Sequence, residues 1–163
     1  MKKLALLILL MMIFQSSVFS RRVVFNDDGK FGLKDENGNI VVKAEYKKLI
    51  RLGESGWIIQ KGSKFGIMND EGKILVEPKY NRADRVLGKF AKLTKGEKNG
   101  LFDEKGFVIL PPEYSSIDLL FGGMFLTCKN YKYGVTDFNG QPILDNIFDD
   151  IYMPKPNVMI ITY

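Results

Sequence analysis

The side chains that could carry chemistry fall into a few groups. Three turns hold adjacent carboxylates: Asp35-Glu36, Asp70-Glu71 and Asp103-Glu104. A calcium loop needs several oxygen ligands converging on one point, with a later Glu. Each of these turns offers two carboxylates at most, and their Asp and Gly residues are already explained by turn chemistry. Asp27-Asp28 and Asp149-Asp150 are the pairs an acid–base mechanism would draw on. Neighbours in a strand point to opposite faces, so adjacency alone makes no dyad. The chain has no histidine. That removes Ser-His-Asp and Cys-His sites, the usual general base and the usual metal ligand. Cys128 is the single cysteine, so no disulfide can form within the chain. It reads as a small apolar side chain in a strand. The expectation is a protein without a catalytic site, metal or cofactor.

Two sets of residues could bind rather than react. Lys30, Lys64, Lys98 and Lys132 recur at equal steps, with Lys61, Lys95 and Lys129 close by. Aligned, they would form a basic ladder suited to an anionic glycan, a lipid headgroup or an acidic protein. Acidic residues interleave with them and dilute the field. Lysines on strand edges also serve to block edge-to-edge pairing. Tyr46, Tyr80, Tyr114 and Phe148, with Trp57, form the aromatic set. Stacked rings can bind sugars or proline-rich peptides, but in a small β protein they more often build the core.

These residues are positioned by a repeat. Gly32, Gly66, Gly100 and Gly134 stand 34 residues apart, as do Gly38, Gly72, Gly106 and Gly140. Nothing breaks the register. The stretch "KFGLKD" alternates with period two and predicts a strand. A four-residue turn follows ("DENG", "NDEG", "DEKG", "DFNG") with Asp or Asn first and Gly last. That is a type I turn in which the Gly takes φ > 0 and closes a hairpin. An apolar strand comes next, and then a third one: "GWIIQK", "FAKLTK", "MFLTCK" and "VMIITY". Residues 47–55, 81–88 and 115–123 are expected to be connections with one short helical turn. The prediction is an all-β tandem array of four three-stranded repeats, at 28–61, 62–95, 96–129 and 130–163. "RRVVFND" (21–27) forms a capping strand, because Val23, Val24 and Phe25 align with Trp57, Ile58 and Ile59. A closed propeller-like or barrel-like ring is the alternative.

"KFGLKDENGNIVVKAEY", "KFGIMNDEGKILVEPKY", "KNGLFDEKGFVILPPEY" and "KYGVTDFNGQPILDNIF" resemble the WG-repeat family. The resemblance covers residues 28–163. The family's pattern is an aromatic-Gly strand, a D-x-x-G turn, an apolar strand and Pro-x-Tyr. The family's Trp is replaced by Phe31, Phe65, Asn99 and Tyr133, and units one and four lack the Pro. The resemblance implies a bacterial, often exported, all-β repeat protein with no general enzymatic role.

Residues 1–20 read as a signal peptide. Lys2 and Lys3 precede an apolar run from Leu4 to Phe14, and Val18 and Ser20 suit cleavage after Ser20. The run is short for a membrane span, and none is expected in 21–163. The formal charge is +5, of which residues 1–20 supply two lysines, so no nucleic-acid partner is indicated. The functional expectation is an exported, non-enzymatic binding or scaffold module of the cell envelope. Its partner is a protein or an anionic envelope component, met by Lys30, Lys64, Lys98, Lys132, Tyr46, Tyr80 and Tyr114. The alternative is a secreted effector or adhesin-like protein that captures a partner by strand addition at "VMIITY". A glycan-active enzyme is a remote third.

Overall fold

The computed structural model describes residues 21–155 and 158–163. The expected signal peptide and its cleavage site lie outside the described residues. The described chain is all β, arranged in five small antiparallel sheets. The first holds β1 (Val23–Asp27), β2 (Lys30–Lys34) and β3 (Ile40–Tyr46). The second holds β4 (Lys48–Leu52), β5 (Gly56–Lys61), β6 (Lys64–Asn69) and β7 (Ile74–Tyr80). The third holds β8 (Arg82–Val86), β9 (Phe90–Lys95), β10 (Lys98–Asp103) and β11 (Val108–Tyr114). The fourth holds β12 (Ser116–Leu120), β13 (Met124–Lys129), β14 (Lys132–Asp137) and β15 (Pro142–Phe148). The fifth pairs only β16 (Asp150–Lys155) with β17 (Val158–Thr162). Strands pair in chain order, and β1 and β17 lie in different sheets, so the array is open.

The hairpin of each unit follows from its letters. Gly38, Gly72, Gly106 and Gly140 have φ between 81° and 86°. Each donates its N–H to the carbonyl three residues back, at 3.1 Å. The leading Asp or Asn accepts from the two backbone N–H groups that follow: Asn69 Oδ1 takes those of Glu71 and Lys73 at 3.1 and 2.8 Å. The aromatic-Gly step has a different cause. The ladder slips between Phe65↔Tyr80 and Ile67↔Val76, so Glu77 to Lys79 bulge toward Gly66. A methyl on Gly66 would lie 2.9 Å from Pro78 N and closer still to Val76 O. Pro78, Pro111 and Pro112 sit in these bulges, where the ladder asks for no donor.

One expectation needs correcting. Residues 47–55, 81–88 and 115–123 carry no helical turn; β4, β8 and β12 run there, and β16 takes the same place in the last unit. The structure thus adds a fourth strand to each 34-residue unit. These strands stand at sheet edges and bond one neighbour only. "RADRV" and "SIDLL" therefore carry little of the alternation that marks a half-buried strand. Each four-stranded sheet straddles a unit boundary, with two strands from one unit and the hairpin of the next.

The core is a series of layers between successive sheets. Leu33, Val42 and Tyr46 of the first sheet meet Trp57, Ile59 and Met68 of the second. Leu52, Ile58, Ile67, Val76 and Tyr80 meet Ala91, Leu93 and Phe102 of the third. Along β5, Trp57 and Ile59 point one way and Ile58 the other, so Gly56 to Ile59 are buried on both faces. Phe90, Leu101 and Leu110 meet Ile117 and Phe125 in the third layer, where Phe90 and Phe125 pack edge to face at 5.7 Å. Val135 and Phe148 meet Ile151 in the fourth.

Candidate functional site

The second residue of the last three hairpin turns is an anchor between sheets. Asp70 accepts Trp57 Nε1–H at 2.7 Å and the Arg51 guanidinium at 2.5 and 3.4 Å, and Arg51 lies 4.8 Å from the Trp57 ring centroid. The Asp70 carbonyl accepts Arg22 Nε–H at 3.0 Å from the first sheet. Glu104 accepts the Glu54 N–H across to the second sheet. Phe138 in the last turn packs on Phe90, one sheet back, at 5.7 Å. The acidic turns are therefore separate structural devices. Among the described residues no group of three carboxylates, Cys or His is gathered as for a metal ion. Hydrogen bonds within the turn, first from the Asn39 side chain, hold Asp35 below the ordinary carboxylate range. The Gln141 N–H does the same for Asp137.

The lysines gather at the two-residue turns. Lys64, Lys98 and Lys132 stand opposite Lys61, Lys95 and Lys129 across two-residue turns, and Lys30 stands opposite Asp27. Several have acidic partners. Lys61 bonds Glu45 at 2.9 Å, Lys129 bonds Glu113, and Lys132 bonds Asp149. Glu45 is held below its ordinary value chiefly by its hydrogen bond from Lys61. Lys129 is raised chiefly by its bond to Glu113.

The structure puts the tyrosines in the core. Tyr46 and Tyr80 are 3% and 4% exposed and stand opposite Phe31 and Phe65. Burial pushes Tyr46 up to about 12, and raises Tyr80 and Tyr114. Tyr114 is half-buried and faces Asn99. Asn99 fills its slot with hydrogen bonds: its Nδ2 donates to Tyr114 O and Ser115 O at 3.3 and 2.9 Å, and its Oδ1 accepts Thr94 Oγ1 at 2.8 Å. The loss of the ring is thus compensated. Cys128 is buried, as a small apolar strand residue would be.

A feature that the sequence reading missed lies at the other end of the array. A groove of about 340 Å³ opens between β12 and β16, lined by Leu119, Leu120, Phe121, Leu126, Ile151, Tyr152 and Met153. Its floor belongs to the fourth core layer, which Leu120, Leu126 and Ile151 help to form. Its rim, Leu119, Phe121 and Tyr152, is exposed. Both walls are edge strands. One unit upstream the positions of Leu119, Leu126 and Tyr152 are Arg85, Lys92 and Asp118. There Lys92 Nζ reaches across to Ile117 O at 3.3 Å, and Arg85 reaches back to Arg51 O at 3.0 Å. Reading the four units against one another position by position would have shown the change at Leu119, after Arg51 and Arg85, and at Tyr152, after Asp84 and Asp118; at the Leu126 position Lys92 is the departure, between Ile58 and Ile160.

The five stacked sheets with a recurring hairpin define an all-β tandem-repeat protein. The family described as "WG containing repeat" matches residues 31–60, 65–98 and 100–133, more than half of the sequence. The chain belongs to that WG-repeat family. Comparison with curated proteins and with solved structures gives no match.

Proposed function

We propose that the chain is a non-catalytic binding scaffold, exported to the bacterial cell envelope, that captures an extended apolar segment of a protein partner. The observation that supports this most is the groove between β12 and β16. Apolar side chains replace Arg85, Lys92 and Asp118 at the repeat-equivalent positions there. An exposed apolar patch bounded by polar surface marks an interaction site. Two edge strands beside it offer main-chain groups, which suits a polypeptide better than a glycan or a lipid chain. Glu45, Glu113 and Asp149 engage Lys61, Lys129 and Lys132, which lowers the charge left for an anionic ligand at those three. Export is supported by Lys2, Lys3 and the apolar run Leu4 to Phe14.

The test compares two variants in quantitative capture from envelope extract, with a solvatochromic apolar dye as a partner-free readout. Leu119→Asp with Tyr152→Ser is expected to abolish both dye binding and specific capture while the melting curve holds. Lys30, Lys64, Lys98 and Lys132 changed to Glu should leave both intact. The opposite pattern would sink the groove reading in favour of an anionic partner. Turnover on a glycan panel would overturn the non-catalytic one.

A further inference from the structure

Two-residue turns join β5 to β6, β9 to β10 and β13 to β14, and at one of them the residue types change. The turns are Gly62-Ser63, Gly96-Glu97 and Asn130-Tyr131, and Asp28-Gly29 holds the same place in the first sheet. Of these four, Asn130-Tyr131 alone carries an aromatic ring. Tyr131 is 93% exposed and sits at φ 63°, where a bulky side chain is strained. Neither burial nor backbone conformation accounts for a ring at this position.

The ring stands at the rim of a polar notch of about 240 Å³, lined by Glu97, Lys98, Ser115, Asn130 and Tyr131. The notch lies between the Gly96-Glu97 and Asn130-Tyr131 turns, beside the corner that joins β11 to β12. One unit upstream the corner residue is Asn81, whose Oδ1 accepts the Gly96 N–H at 3.2 Å, so corner and turn are bridged. Ser115 is the counterpart of Asn81. Its shorter side chain donates instead to Cys128 O at 3.0 Å on β13, which leaves the space beside Asn130 open. The lysines that flank this turn are drawn aside, Lys129 to Glu113 and Lys132 to Asp149. Within the notch the formal charges of Glu97 and Lys98 cancel.

We propose that this notch binds one uncharged pyranose ring of a glycan. Glu97 and the Ser115 hydroxyl, whose own proton goes to Cys128 O, accept hydrogen bonds; Lys98 donates; the Asn130 amide does both. That set complements neighbouring sugar hydroxyls, each of which donates and accepts. Tyr131 supplies what the polar groups lack, an open apolar face. The negative face of its ring suits the slightly positive C–H groups of a pyranose whose hydroxyls are equatorial, as in glucose and N-acetylglucosamine. The volume is below the roughly 300 Å³ at which pockets for drug-sized ligands begin, so it takes one ring of a chain whose neighbours project into solvent. The balanced charge favours a neutral sugar over a polyanion. This site is separate from the apolar groove: Leu119 and Leu120 stand at one end of β12, and Ser115 precedes the other.

The test titrates the full chain with cellohexaose and chitohexaose, neutral β-linked oligomers of those two sugars, and follows binding by saturation-transfer NMR. Transfer is expected to be strongest at the C–H protons of the sugar ring. Tyr131→Gly should weaken binding about tenfold while Tm rises, and Tyr131→Trp should retain binding. Ser115→Asn, which restores the bridge seen at Asn81, should close the notch and abolish binding without lowering Tm. Leu119→Asp with Tyr152→Ser should leave sugar binding unchanged, so the groove and the notch succeed or fail separately. No transfer to either oligosaccharide, undiminished binding by Tyr131→Gly, or binding of polygalacturonate alone would each overturn the proposal.

Discussion

Gly66→Ala isolates the reason for the glycine that follows the aromatic residue in each unit. The φ of Gly66 is not positive, so alanine is allowed by backbone conformation. Stiffening the unfolded chain would by itself stabilise by about 0.4–1 kcal/mol. The added methyl, however, meets backbone on one side: Val76 O, Pro78 N at 2.9 Å and Glu77 C at 3.0 Å. None of these is the end of a flexible side chain. The bulge that brings them in is fixed by Phe65↔Tyr80 before it and Ile67↔Val76 after it. Overpacking of this kind costs about 3 kcal/mol at the upper end, leaving a net loss of about 2 kcal/mol. For a chain of this length that lowers Tm by about 4–8 °C. Gly100 provides the internal comparison. Its nearest neighbours, Pro112 N and Cα, are 3.0 Å away, and Leu110 O is at 3.1 Å. Gly100→Ala should cost about 1 kcal/mol in overpacking, which the unfolded-state gain nearly cancels. Thermal melts followed by circular dichroism, and urea titrations followed by the fluorescence of the buried Trp57, read both. Equal losses, or a larger loss at Gly100, would refute the close-approach explanation.

Two further perturbations follow from particular residues. Tyr46 is neutral in the core and is raised to about 12 by burial, above its ordinary value of 10.0. The unfolded chain therefore releases this proton first, so stability is intact below pH 10 and falls by about 2–3 kcal/mol as pH rises from 10 to 12. Tyr46→Phe should remove part of that alkaline loss, measured as urea midpoints at pH 9 and at pH 11.5, and an unchanged slope would count against the burial argument. Tyr131 is 93% exposed with φ of 63°, directly after Asn130 at φ 53°. Two-residue turns with both φ values positive prefer Asn followed by Gly, so Tyr131→Gly should stabilise by about 0.5–1 kcal/mol, seen as a higher Tm. A drop in Tm would show that the exposed ring makes a contact that offsets its backbone strain.

The hairpins were legible because their physics is local. An Asp or Asn, a Gly three residues on and alternating apolar residues specify a turn and its two strands without reference to the rest of the chain. The capping strand was legible for a related reason: Val23 to Phe25 align with Trp57 to Ile59, and β1 pairs with β2 in the register of β5 with β6. The edge strands were hidden because a strand with one neighbour and one open side has weak periodicity. Arg82 to Val86 alternates little, and its pairing to Phe90–Thr94 is set by the corner at Asn81, whose N–H donates to Thr94 O at 2.7 Å. The placement of Tyr46 and Tyr80 turned on the bulge that sets each opposite the aromatic residue of its own hairpin. The groove was hidden for a different reason. Leu119 and Tyr152 are ordinary strand residues by type, and they acquire meaning only beside Arg85 and Asp118.

That comparison bears on where function can reside in a chain built by repetition. A residue kept at all four steps is explained by the unit: Gly38 and its counterparts by positive φ, Gly66 and its counterparts by the approaching strand. Such residues say how the brick is made and nothing about what this array binds. A residue that departs from its counterparts has two kinds of explanation. Asn99 departs where a ring is expected, and its hydrogen bonds to Thr94, Tyr114 and Ser115 repair the slot internally. Leu119 and Tyr152 depart outward: Arg85, which reaches the Arg51 carbonyl, and Asp118 give way to side chains that remain exposed with apolar surface. Internal repair adds stability and needs no partner. Exposed apolar area without repair is unfavourable for the isolated chain, and it is stabilising only when another molecule covers it. The groove between the last two sheets holds such area, which is why the proposed contact is placed there and not along the buried tyrosines.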